Sequence, residues 1–91
     1  MIKELKFNKT ITSLAGNKYG QKVFEEQVKN VSCDEKYTIV FPNQIADIAT
    51  SFIQGFFQQF VMEMGIYGIE KNVQIESSIK NLKQLIMDCL A

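Results

Sequence analysis

Short apolar runs separated by polar breaks set the reading of this chain. Across Met1–Phe7, the apolar Ile2, Leu5 and Phe7 stand against Lys3, Glu4 and Lys6. That imperfect alternation predicts a short strand, which Thr10, Ile11 and Thr12 extend or re-pair. Ser13, Gly16, Asn17 and Gly20 make a loop with helix-start chemistry. From Lys18 to Asn30, and on to Val31, the apolar Tyr19, Val23, Phe24, Val28 and Val31 recur at spacings of four, one, four and three. Those spacings describe one face of an amphipathic helix.

Ser32 to Lys36 is a polar turn, and Tyr37–Phe41 is a β-branched and aromatic run stopped by Pro42. It is the clearest strand, and its unbroken apolar end predicts a strand covered on both faces. Asn43 to Ala49 reads as a connecting loop. A helix follows from Ser51 to Met64, with Phe52, Ile53, Phe56, Phe57, Phe60, Val61 and Met64 over more than half its circumference. Gln54, Gln58, Gln59 and Glu63 mark a narrow wet side, so the helix is largely buried. Gly65 and Gly68 end it. Val73–Ile75 is a short strand, after which Ser77 or Ser78 caps a last helix bearing Ile79, Leu82, Leu85, Ile86, Cys89 and Leu90. The resulting β-α-β-α-β-α order predicts an α/β fold with a small, mainly parallel sheet and right-handed crossovers.

Composition narrows the function classes. The 91 residues suit one domain, residues 1–91, and 46% apolar content is that of a globular chain. Ten lysines balance ten acids and there is no arginine, so neither nucleic acid nor an anionic membrane is an electrostatically favoured partner. Histidine is absent, which removes the imidazole base and the commonest metal ligand. No cofactor or metal site is expected. Cys33 and Cys89 read as ordinary reduced thiols, Cys33 near a loop and Cys89 on a buried helix face. Lys3, Glu4 and Lys6 stand where a signal peptide needs an apolar core. The most apolar stretch, Ile45–Ile69, carries Asp47, Gln54, Gln58, Gln59 and Glu63 and fails as a membrane span. The expectation is a soluble, cytoplasmic protein.

In a parallel sheet, the loops from strand to helix gather at the strands' C-terminal edge, where ligands and partners bind. Here that edge collects Ser13–Asn17, Asn43–Ser51 and Glu76–Ser78. Thr50 and Ser51 precede the buried helix, and Ser51 with Gln54 forms the S-x-x-Q spacing of a capping box. A hydroxyl displayed at a helix start also sits where free N–H groups favour an anion. A phosphoryl group there would add about −1.5 to −2 charges. Asp47 lies close enough in sequence to modulate the loop's charge.

The run Ile48 to Phe56, a short loop after the Tyr37–Phe41 strand, resembles the signature of the bacterial STAS-like α/β family of unknown function. The Tyr19–Phe24 helix start and the Lys71–Ile75 strand fall where that family has them, and the resemblance spans Gly16 to Leu90. The family is related by fold to the STAS domains of anti-sigma-factor antagonists. In those, an Asp-Ser-Ser/Thr-Gly motif at a strand–loop–helix junction is phosphorylated by a partner ATPase of the histidine-kinase-like type. Ala49-Thr50-Ser51-Phe52 occupies that motif, with Ser51 matching the phosphoacceptor. Ala49 replaces the acid and Phe52 the glycine, and Phe there is typical of the STAS-like branch. The resemblance implies a regulatory module without catalysis of its own that binds such an ATPase.

Other signals have simpler readings. Gly65-Ile66-Tyr67-Gly68 has the spacing of a KH loop but reads as a helix end and turn. Phe52, Phe56, Phe57 and Phe60 have core spacing rather than that of an aromatic platform. The neighbouring carboxylates Glu25–Glu26 and Asp34–Glu35 do not face each other and read as solvated surface. An alternative function is a small-ligand or anion-binding domain with Thr50, Ser51, Ser77 and Ser78 as donors. A third is a self-associating homo-oligomer, should the phenylalanines leave an apolar surface exposed.

Overall fold

A computed structural model describes residues 1–91. In chain order the elements are β1 (Ile2–Glu4), β2 (Ser13–Leu14), α1 (Asn17–Gln27), β3 (Tyr37–Val40), β4 (Asp47–Ile48), α2 (Thr50–Phe56), α3 (Gln58–Asn72), β5 (Val73–Glu76) and α4 (Leu82–Leu90). The three longer strands form a parallel sheet in the order β1-β3-β5. The α/β class and the parallel sheet match expectation, but the simple β-α-β-α-β-α order does not. Two further strands lie inside segments that read as loops, Ser13–Asn17 and Asn43–Ala49. β2 and β4 pair with each other, in parallel, as a second small sheet. Ala46 N donates to Thr12 O and Ala49 N to Leu14 O, which lengthens this ladder on both sides. Two-residue strands carry no readable alternation, so only the pairing reveals them.

One face of the main sheet is covered and the other is not, against the expectation of cover on both. The register sets Lys3 beside Ile39 and Ile39 beside Ile75, and Tyr37 beside Val73. On this side Tyr37, Ile39 and Val73 are buried. The opposite side carries Ile2, Thr38 and Gln74 in one row and Glu4, Val40 and Glu76 in the next. There Glu4, Gln74 and Glu76 are exposed, and Ile2 is 71% exposed. The cause is topological. The strands advance β1, β3, β5 in one direction, so right-handed crossovers put α1, α2 and α3 on the same side, and α4 packs against α2 there.

The helix expected over Ser51–Met64 is broken. α2 ends at Phe56, Phe57 sits at φ −90°, ψ 3°, and α3 begins at Gln58. The apolar arc of this segment is too wide for one straight helix to bury. The break lets Phe52, Phe56, Phe57 and Phe60 all reach 0% exposure. Phe56 is the hub, with ring centroids 4.9 Å from Phe57, 5.9 Å from Phe52 and 6.0 Å from Phe24. Each such ring contributes about 1.5–3 kcal/mol through burial.

Gly65 and Gly68 do not stop the helix for good. Gly65 takes φ 70°, ψ 171°, a true interruption, after which helical turns resume to Asn72 and bring Ile69 into the core. The reading of Gly65–Gly68 as a helix end and turn thus holds only at Gly65.

The start of α4 also differs from expectation. Neither Ser77 nor Ser78 caps it; Asn81, at φ 59°, precedes Leu82. Ser77 Oγ accepts from Ile79 N and closes its own turn, while Ser78 Oγ donates to Asn43 O. Asparagine tolerates the left-handed conformation that this later start requires. On α4, Leu85 is 50% exposed and Cys89 half-buried, so its apolar face is narrower than its spacing suggested.

Candidate functional site

α1 and α2 pack backbone to backbone. A Cβ on Gly20 would run into Phe52 O and one on Gly55 into Asn17 O. Two side-chain-free positions therefore set the helix separation, and Phe24 and Phe56 meet edge-on further along the seam. The two helices touch along most of α2, since Gly20 meets Phe52 O and Phe56 N and Gly55 meets Asn17 O. Each follows one strand of the β2–β4 ladder, which holds their starts side by side.

Ser51 closes that seam at its N-terminal end. Its Oγ accepts a hydrogen bond from Gly16 N at 2.9 Å. Gly16 is the residue before α1 and sits at φ 99°, a conformation that suits glycine. The capping box is therefore not formed. Ala49 holds the N-cap position of α2 with extended φ/ψ and no side-chain cap, and Ser51 is the second helical residue. The bond from Ala49 N to Leu14 O fixes this start, because it ends the ladder at Ala49. The Ser51 hydroxyl does satisfy a helix-start N–H, but that of the neighbouring helix.

Around Ser51, Thr50 is exposed and its Oγ1 lies 3.7 Å from the Cys89 thiol on α4. Asp47 is exposed and in register with Ser13, and Gln54 is exposed one turn into α2. Neither α1 nor α2 has an acidic residue in its first turn. A negative charge on Ser51 would thus meet the free N–H groups of two helix starts without a carboxylate on either first turn.

The predicted loop residues divide into two groups. Asp47, Thr50, Ser51 and Gln54 share the β4–α2 junction. Ser77 and Ser78 follow β5, where Ser78 ties that strand's end to Asn43 after β3. Two surface grooves exist, of about 270 Å³ and 190 Å³, and neither is lined by Asp47, Thr50, Ser51, Ser77 or Ser78. No group of three or more His, Cys, Asp or Glu is placed to hold a metal ion, and no helix is long and apolar enough to cross a membrane.

The sequence reading missed Gly20 and Gly55 as contact residues, and Gly16 as the partner of Ser51. Glycines inside helical patterns are the signal that could have found the first two, since such positions usually have a packing reason. No protein-family model, curated protein or solved structure matches the chain.

Proposed function

We propose that this chain is a non-catalytic regulatory module, STAS-like in character, that switches between protein partners. Its partner is an ATPase of the histidine-kinase-like type, in the cytoplasm, and Ser51 is the phosphoacceptor. The supporting observation is the Ser51 hydroxyl itself, held at a strand–helix junction and bonded to the N–H of Gly16. The resemblance of Ala49–Phe52 to the antagonist motif points to the same atom.

The bond also suggests how the switch works. To accept a phosphoryl group, the half-buried hydroxyl must turn away from Gly16, which opens the end of the α1–α2 seam. The new charge would then sit between two helix starts and change the surface that a partner reads. Phe52, which replaces the motif's glycine, is fully buried and serves the core.

The test is a phosphorylation assay with the partner ATPase and ATP, read by intact mass. The expected result is a gain of one phosphoryl group in the wild type and none in Ser51→Ala. Equal phosphorylation of both, or of neither, would remove Ser51 from this role.

A further inference from the structure

The uncovered face of the main sheet is ordered by charge along its strands. Its middle row is Ile2, Thr38 and Gln74, and the row toward the strands' C-terminal ends is Glu4, Val40 and Glu76. Glu4 and Glu76 are exposed, one on each edge strand, with Val40 half-buried between them. The strands' opposite end is cationic. Lys36 and Asn72 fall two residues before Thr38 and Gln74, hence one row earlier on the same face. The smaller groove, of about 190 Å³, opens at that end, where Lys36 and Lys71 line it together with Thr38, Asn72 and Gln74. Between the two ends Ile2 is 71% exposed.

A face with acids at one end, lysines at the other and an exposed isoleucine between them is complementary to itself. We propose that it is a dimer interface, on which a second copy of this chain stacks sheet on sheet with its strands antiparallel. Closed twofold contacts use the same patch on both copies. Stacked sheets sit about 10 Å apart, with strands within about 30° of one another. The twofold axis of such a stack lies in its plane, along the strands or across them. An axis along the strands sets β1 over the partner's β5 in the same direction, so that Glu4 faces the partner's Glu76. An axis across the strands reverses their direction, so that each acidic row faces a cationic end. Opposed like charges reject the first arrangement and select the second. In the second, Ile2 packs on the partner's Ile2, and Glu76 faces the partner's groove at Lys36 and Lys71. The face is only three strands wide, so the interface belongs to the small, weak class. The proposal rests on no property of Ser51, which lies away from this face at the β4–α2 junction.

Sedimentation equilibrium of the whole chain tests it, at concentrations up to about 1 mM, where weak dimers populate. The wild type should be in monomer–dimer equilibrium, and added salt should weaken the dimer. Ile2→Asp sets two carboxylates against each other and should weaken it at least about tenfold. Glu76→Lys, which then faces lysines, should do the same, and adding Lys71→Glu should recover the dimer. Ile2, Lys71 and Glu76 are all exposed, so folding should survive, as circular dichroism would verify. A wild type that stays monomeric throughout would overturn the proposal. So would a dimer that Ile2→Asp and Glu76→Lys leave intact, or one that Lys71→Glu fails to recover.

Discussion

The Ser51 hydroxyl accepts its hydrogen bond from Gly16 across 35 positions of sequence, and so joins the starts of α1 and α2. The bond is local in space and remote in the chain. It makes the candidate switch residue part of the contact that holds the two helices together.

Ser51→Ala should therefore lower stability as well as remove the acceptor. Loss of one partner from a part-buried hydrogen bond leaves the Gly16 N–H unpaired, a change of about 1–3 kcal/mol. Urea unfolding followed by circular dichroism checks this. An unchanged midpoint would mean that water replaces the hydroxyl at no loss.

Gly55→Ala should be more damaging than Ser51→Ala. The added Cβ meets the Asn17 backbone, which cannot swing aside as a side chain would. Overpacking of this kind costs about 1–3 kcal/mol, occasionally more. Gly20→Ala, which meets Phe52 O in the same seam, should behave alike. Of 5–15 kcal/mol typical in total, such a loss is large, roughly speaking. If either variant melts with the wild type, the helices are not in backbone contact.

Gly65→Ala isolates a different cause. Nothing lies within 4 Å of a Cβ at this position, so packing is not at issue. The backbone at φ 70°, ψ 171° is nearly exclusive to glycine. A loss of about 1–3 kcal/mol from strain alone is expected. A neutral substitution would show that α3 can run straight through Gly65.

Lys29→Gly should move stability the other way. It relieves a left-handed lysine, so a gain of about 1 kcal/mol is expected. Thermal unfolding checks this, and a midpoint unchanged or lowered would mean that the φ of 75° at Lys29 carries no strain.

Much of the fold was legible from periodicity. The Tyr37 strand, the Val73 strand, α1 and the buried phenylalanines follow from spacing alone, because each buries a face wide enough to leave a pattern. β2 and β4 left none, since two residues cannot alternate and their pairing joins segments over thirty residues apart. The break at Phe57 was hidden because the phenylalanines flanking it are all apolar. For the site, Ser51 was visible as a hydroxyl beside a helix start, but its partner was not. Spacing pointed to Gln54, within the same helix, whereas the tertiary packing supplied Gly16.

The most direct test of partner switching is quantitative capture from the native cell lysate with wild type, Ser51→Ala and Ser51→Asp as bait, each first shown to be folded. Wild type and Ser51→Ala should retain a histidine-kinase-like ATPase, and Ser51→Asp should lose it. Equal recovery of that ATPase by all three baits, or its absence from all three, would contradict the account.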